Sequence, residues 1–308
     1  MTGPGWQSAP ELRPATRRTP VADLFEEAFR LYRRGFLTML AVFGAFEIPF
    51  VLLNLPVTVL QARIYRAQWE ADPFLYGGLD WPDAVGRQLM ASLLVILATL
   101  VLVFLLLTFA AAGVSIVASL ARSGSPSPRE SFTALGGAAV RLLGLILVLI
   151  VGLAGISLLI GATSLIVITL FGANIGVTIG LIALLMIALL VLVIFLGARF
   201  ALGIPVLVLE GRDAIDALRH SWSLVRGSTW RVLGIIYLAI LLVTVVGGVL
   251  PMVLVPGLYG GMLTGSVASY VELALVSGGI NLVLGPILPT LATVLYFDLA
   301  RQPGEAPS

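Results

Sequence analysis

The spacing of apolar residues changes along this chain, and the clearest example is residues 213–233. The first part of this stretch has apolar residues at every third or fourth position: Ile215, Leu218, Trp222 and Val225. This spacing places them on one face of a helix, which Gly227 can end. A long apolar run follows at once. The pattern predicts a short amphipathic helix in the membrane interface, joined to a membrane-spanning helix.

Similar units precede this one. An amphipathic stretch of residues 19–35 leads into a first apolar run, and a short, less amphipathic stretch after residue 127 leads into another. The predicted repeat units are about 19–121, 127–200 and 213–301, each with one interfacial helix and two spans. Internal repeats are common in membrane proteins that move solutes, and the alternative origin of this pseudo-threefold repeat is duplication of a stable helical hairpin.

Six apolar runs are long enough to cross about 30 Å of hydrocarbon. They lie at about 36–62, 89–121, 140–170, 175–200, 229–254 and 270–299. Residues 1–18 are rich in Pro, Gly and Arg and are predicted to be a disordered tail, and residues 302–308 a polar tail. The predicted fold is all-α, with residues 19–301 as one polytopic membrane bundle of six transmembrane helices and three interfacial amphipathic helices.

Composition supports a membrane protein, because 59% of the residues are hydrophobic and only 11% are charged. A soluble domain carries about 25% charged residues. The net charge of +2 gives no reason to expect nucleic acid as a partner. The chain has no Cys and one His, His220, so we expect no metal site and no cofactor. The sequence motifs of ATP-binding loops, zinc proteases and serine hydrolases are missing, and we expect no catalytic residues.

The arginines are distributed unequally about the predicted spans. Only Arg63, Arg66 and Arg87 fall on one side. The other 15 of the 18 basic residues fall on the opposite side: Arg13, Arg17, Arg18, Arg30, Arg33, Arg34, Arg122, Arg129, Arg141, Arg199, Arg212, Arg219, Arg226, Arg231 and Arg301. Positive residues favour the cytoplasm. We therefore expect a multi-pass protein of the cell (inner or plasma) membrane with both termini cytoplasmic.

This orientation places the amphipathic helices on the anionic inner leaflet, where each Arg near the surface contributes about 1 kcal/mol. The candidate contacts for lipid headgroups are Arg33, Arg34, Arg199, Arg219 and Arg226. The alternative for Arg199 is an ion-pair cluster with Glu210 and Asp213 that fixes the turn after the fourth span. Membrane lipids are the expected partners, and the sequence identifies no protein partner.

One carboxylate lies deep in a predicted span. Glu47 is about 11 residues into the first apolar run, with Asn54 on roughly the same face and Asn281 at similar depth in the sixth. An ionisable group at the bilayer centre costs about 2.5–3.5 kcal/mol and is a functional candidate by default. The three residues are a candidate intramembrane polar pocket for a proton or a substrate. The alternative is a protonated Glu that joins helices by a hydrogen bond.

Several short motifs resemble one known family. Residues 24–36 (Leu-Phe-Glu-Glu-Ala-Phe-Arg-Leu-Tyr-Arg-Arg-Gly-Phe) resemble the N-terminal signature of the glycerophosphoryl diester phosphodiesterase membrane-domain family and of its six-span bacterial relatives of the YciC type. Residues 199–205, 210–211 and 217–233 resemble the central motif, and residues 295–299 the ending. The resemblance implies a six-span membrane domain. Some relatives carry a fused soluble phosphodiesterase domain, which is not recognisable here, so the resemblance implies no enzymatic activity.

These observations lead to two hypotheses. The first is a non-enzymatic integral membrane protein that binds lipid or docks a partner at the cytoplasmic leaflet. The second is a transporter or permease for a solute or lipid, which would use the pocket around Glu47.

Overall fold

The computed structural model describes residues 19–71, 81–171, 175–255, 257, 260–261 and 266–301. The predicted tails at 1–18 and 302–308 lie outside the described residues. The helices are α1 (Val21–Arg34), α2 (Phe36–Ala71), α3 (Trp81–Ser123), α4 (Pro128–Phe171), α5 (Ile175–Phe200), α6 (Gly203–Glu210), α7 (Ala214–Val225), α8 (Thr229–Leu254), α9 (Val267–Leu284) and α10 (Ile287–Ala300).

The prediction of an all-helical, six-span membrane protein is confirmed. The described residues contain no strand. Six helical stretches are long and apolar enough to cross a membrane: Phe36–Arg63, Val101–Ser123, Pro128–Val167, Gly176–Glu210, Thr229–Leu254 and Val267–Ala300. Two of these stretches are interrupted: α6 is separate from α5, and the sixth span divides into α9 and α10 at Gly285 and Pro286. Pro49 and Pro56, by contrast, lie inside α2.

The three predicted interfacial helices are not confirmed as a set. α1 and α7 are separate short helices that end before Gly35 and Gly227. The second unit differs, because residues 128–171 form one unbroken helix, α4. No glycine in the left-handed region interrupts that stretch, so the separate second helix predicted from the sequence is wrong. The pseudo-threefold repeat is therefore not confirmed.

The apolar faces of α1 and α7 pack against protein. Leu24, Ala28 and Leu31 of α1 are buried in the main core, and α1 packs on α10 and α3. This packing differs from the prediction of helices whose apolar faces enter the lipid. The physical reason is that α3 and α10 supply buried apolar residues to the same core, and these take the place of lipid against α1.

The buried face of α7 is also rotated from the predicted one. Leu218 and Val225 are buried as predicted, but Ile215 and Trp222 are exposed. Buried Ala217 and Ser221 take their place. Small side chains allow α7 to approach the α5–α6 corner closely, whereas the indole of Trp222 would not fit there.

The tightest packing lies at one end of the bundle. Helix α1, the α3–α4 connection, α6, α7, the start of α8 and the end of α10 meet there around the main core. We call this the cationic end, because most of the described arginines lie on these segments. The other halves of α4, α5 and α8 expose apolar side chains such as Leu158, Leu190 and Val253, as expected for helices surrounded by hydrocarbon.

Candidate functional sites at the cationic end and inside the bundle

Four of the predicted headgroup contacts are exposed at the cationic end. Arg33 and Arg34 occupy the last turn of α1, and Arg219 and Arg226 lie on α7 and at its C-terminal cap. Arg219 approaches Asp216 at 3.7 Å, a long ion pair between exposed side chains. Within the described part of the chain, the other three guanidinium groups pair with no carboxylate. The four positive charges are therefore accessible to an external anion.

Two tryptophans lie close to Arg219 and Arg226 in the chain. Trp222 on α7 is exposed, and Trp230 at the start of α8 is 82% exposed. Trp is enriched where membrane hydrocarbon meets the headgroups, since its ring is apolar and its N–H is polar. Exposed Trp beside exposed Arg thus fits a surface at headgroup depth.

Arg199 lies against Trp222, at the C-terminal end of α5. Its carbonyl accepts a hydrogen bond from the buried hydroxyl of Ser221 at 2.8 Å, which ties α5 to α7. Its guanidinium lies 4.7 Å from the ring centre of Trp222 and 5.2 Å from that of Phe195. The predicted alternative, an ion-pair cluster with Glu210 and Asp213, is not found among the described contacts of Arg199.

Glu210 instead joins α6 to α7 and α10. Its Oε1 accepts a hydrogen bond from the Tyr296 hydroxyl at 2.8 Å and lies 3.3 Å from Nε2 of His220. Arg212 pairs with the other carboxylate oxygen. His220 is therefore a partner of Glu210, and sequence reasoning did not identify this contact because it depends on how α6 packs against α7.

Two further ion pairs join helices at the cationic end. Arg231 at the start of α8 pairs with Asp298 of α10 at 3.1 Å, and Thr19 donates to Asp298 and accepts from Arg231. Arg122 at the end of α3 pairs with Glu27 of α1. These contacts place the start of α1 and the end of α10 at the same end of the bundle. Nothing in the sequence pattern indicated these pairs.

Inside the bundle, the structure brings two of the three predicted pocket residues together. Glu47 of α2 is 3% exposed, and its Oε1 accepts a hydrogen bond from the Asn281 amide of α9 at 2.8 Å. Asn54 does not join them, because its amide donates to the carbonyl of Phe50 in its own helix at 2.9 Å. The site is thus a carboxyl–amide pair between two helices, without the third member.

Close contact between α2 and α9 brings this pair together. A Cβ on Gly278 would lie 2.6 Å from Cγ2 of Val51, and one on Gly44 would lie 3.0 Å from Cδ1 of Leu282. Glycines on both helices let the backbones approach, as in other membrane helix pairs. The interruption of the sixth span at Gly285 follows one helical turn after Asn281.

The described residues contain no group of three or more His, Asp or Glu that could hold a metal ion. Three carboxylates at the cationic end, Glu27, Glu210 and Asp298, each contact basic or hydroxyl side chains of the protein. The arrangement offers cationic donors to an external anion, and it offers one buried carboxyl–amide pair within the bundle.

The fold and these sites define a helical membrane protein with six candidate spans. Residues 86–300 match the model of a family described as the membrane domain of glycerophosphoryl diester phosphodiesterase. The chain belongs to this family. The match includes the central motif around Arg199 and the C-terminal motif, but not residues 24–36. No curated protein and no solved structure gave a match.

Proposed function

We propose that this protein binds anionic phospholipids at the inner leaflet of the cell membrane, with the cationic end facing the cytoplasm. One observation carries the proposal: the apolar faces of α1 and α7 are packed on the bundle, while Arg33, Arg34, Arg219 and Arg226 are exposed. The packed faces hold these arginines in fixed positions. Trp222 and Trp230 favour lipid over a docked protein, because exposed Trp is typical of the headgroup region.

The four arginines together supply a sizeable attraction. Each Arg near an anionic surface contributes about 1 kcal/mol, so four contribute about 4 kcal/mol, or roughly a thousandfold in affinity. The attraction is screened within about 8–10 Å in physiological salt. Binding of anionic lipid should therefore weaken as the salt concentration rises.

The proposal concerns binding and not catalysis. Glu27, Glu210 and Asp298, three carboxylates of the cationic end, each contact an arginine of the protein. A general acid or base must reach the substrate proton. Carboxylates held in ion pairs within the fold support a structural role for these groups.

Lipid analysis of protein extracted in native-membrane discs tests the proposal. The parent chain should be enriched in anionic over zwitterionic phospholipid. Replacing the four exposed arginines with Gln should abolish the enrichment, and replacing them with Lys, the matched control, should keep it because the charge remains. Equal enrichment in the parent and the Gln variant would refute the proposal.

A second candidate function is transport through the bundle. It is favoured by the buried Glu47–Asn281 pair next to the interruption between α9 and α10. Transporter sites typically combine a polar group near the midplane with a discontinuous helix. Mass spectrometry of small molecules that co-purify with the parent should then reveal a solute that Glu47→Gln loses and the control Asn54→Leu keeps. If all three proteins carry the same small molecules, transport through this pair is rejected.

A further inference from the structure

Half-buried arginines at the cationic end show a consistent pattern with one exception. Arg122 pairs with Glu27, and Arg231 pairs with Asp298. Arg141 donates to the carbonyl of Gly211. A guanidinium group that is partly removed from water requires acceptors of this kind, since unpaired donors cost free energy.

Arg199 is the exception among these residues. The only hydrogen bond of its guanidinium in the described chain is a long one, 3.4 Å from Nη1 to the carbonyl of Trp222, and its Nε is buried without a partner. No described carboxylate pairs with it. The two Nη atoms therefore keep three N–H donors, and the group keeps its full charge, for an acceptor from outside the protein.

The guanidinium of Arg199 is nevertheless held in position. The hydroxyl of Ser221 fixes the Arg199 backbone. The rings of Phe195 and Trp222 contact each other edge to face, with their centres 6.1 Å apart, and both make cation–π contacts with the guanidinium. Cation–π contacts favour the charged group without satisfying its N–H donors. A planar, prearranged guanidinium of this kind suits the two oxygens of a phosphate.

The surface below Arg199 is apolar. On the face of α5 that carries Arg199, large apolar side chains are exposed in a row: Leu184, Val191 and Leu192. From Leu184 to Arg199 the helix rises about 22 Å, at about 1.5 Å per residue. Half of a hydrocarbon layer is about 15 Å thick. The row is therefore long enough for an acyl chain that reaches the bilayer midplane from a glycerol phosphate beside Arg199.

We propose that Arg199 binds the phosphate of one membrane phospholipid, with the acyl chains of that lipid along the exposed face of α5. The inference rests on the proposed function for the depth and orientation of the cationic end. It adds a single site of defined stoichiometry to the diffuse attraction of the four exposed arginines. Free inorganic phosphate has the same chemistry toward a guanidinium, and the apolar row on α5 favours the lipid.

Native mass spectrometry of the full chain, washed extensively in detergent, tests this site. The parent and the control Arg129→Gln, which removes an exposed arginine outside both proposed sites, should each retain one phospholipid per chain. Arg199→Gln should hold that lipid about 10- to 100-fold more weakly, the loss expected for hydrogen bonds to a charged group. Arg199→Lys should be intermediate, because it keeps the charge and loses the planar fork. Full retention of the lipid by Arg199→Gln would overturn the proposal.

Two further measurements identify the ligand and do not require the variant to fold. A phospholipid with a photoreactive acyl chain should cross-link the parent chiefly at residues 184–193, and cross-links concentrated on another helix would contradict the proposal. Inorganic phosphate at 10 mM, roughly ten times a 1 mM dissociation constant, should leave the lipid bound. Displacement of the lipid by phosphate would assign Arg199 to the free anion instead.

The outcomes of the two proposals are separable. If Arg199→Gln loses the tight lipid while the four-arginine Gln variant stays enriched in anionic lipid, the site stands and the diffuse attraction fails. If the four-arginine variant loses its enrichment while Arg199→Gln keeps the tight lipid, the diffuse attraction stands and the Arg199 site fails.

Discussion

Removal of the Asp298 carboxylate tests the packing of the cationic end. Asp298 is 10% exposed and pairs with Arg231, which is 14% exposed, at 3.1 Å. The carboxylate also accepts a hydrogen bond from Thr19. In Asp298→Ala, the guanidinium of Arg231 would stay largely buried and would keep only the carbonyl of Thr19 as an acceptor.

Breaking a buried ion pair from one side costs about 3–5 kcal/mol, because the remaining charge is uncompensated. We expect about 3 kcal/mol for Asp298→Ala, the lower end, since Arg231 keeps one acceptor. The matched control is Asp216→Ala, whose pair with Arg219 spans 3.7 Å with the side chains 60% and 78% exposed. An exposed pair of this kind contributes about 0–1 kcal/mol.

The assay is reversible unfolding in mixed micelles of increasing SDS content, followed by far-ultraviolet circular dichroism. The double variant Asp298→Leu/Arg231→Met should be more stable than Asp298→Ala, because it leaves no unpaired charge. If Asp298→Ala costs no more than Asp216→Ala, or if the double variant is the less stable of the two, the reasoning is refuted.

Three other predictions concern the bundle interior. Gly278→Ala should destabilise by about 1–3 kcal/mol, because its Cβ would lie 2.6 Å from Val51, while Gly152→Ala, with nothing within 4 Å, should be neutral or stabilising in the same SDS titration. Equal effects of the two would contradict the close α2–α9 contact. Burial raises the pKa of the Tyr32 phenol above its usual value near 10, so stability should be full below about pH 10 and fall above it. Tyr32→Phe should lose this alkaline sensitivity. It should also be about 1 kcal/mol less stable at neutral pH, because it lacks the hydroxyl that donates to a carbonyl of α9 in the parent. A pH profile equal to that of the parent would contradict the assignment to Tyr32. Glu47→Gln should retain the folded state, since an amide oxygen can still accept a hydrogen bond from Asn281. Glu47→Leu should lower the free energy of unfolding by about 0.6–1.7 kcal/mol. If Glu47→Leu is as stable as the parent, the Glu47–Asn281 hydrogen bond makes no structural contribution.

Hydropathy alone was sufficient to locate the six spans, because a hydrocarbon environment imposes long apolar helices. It also placed Glu47 and Asn281 at similar depth, and the structure brings them into contact. It failed for Asn54, since a shared helix face does not exclude a bond to the helix's own backbone. Local pattern cannot distinguish these two uses of an amide side chain.

Interruptions of helices were harder to predict. Pro49 and Pro56 lie inside the continuous α2, yet Pro286 follows a break in the sixth span. Proline is compatible with either outcome, and the packing around it decides. At the break, the ring of Phe43 lies 2.3 Å from where a Cβ of Gly285 would be, a contact that no sequence window contains.

The cationic end showed a similar limit. Charge bias grouped the arginines but could not identify the two pairs between helices, because Arg122 and Glu27 are 95 positions apart and Arg231 and Asp298 are 67 apart. The contacts of Arg199 depend on the rotation of α7, which small Ala217 and Ser221 determine. The periodicity of large apolar residues alone predicts a different buried face for α7.

Orientation in the membrane is the property on which both functional proposals at the cationic end depend. The chain has no cysteine, so single cysteines introduced at exposed positions can be labelled without background. Arg34→Cys at the cationic end and Gln61→Cys near the opposite end of α2 would be treated with a membrane-impermeant maleimide. We expect Gln61→Cys to react in intact cells and Arg34→Cys only in inside-out vesicles; reaction of Arg34→Cys in intact cells would show that the arginines face away from the inner leaflet.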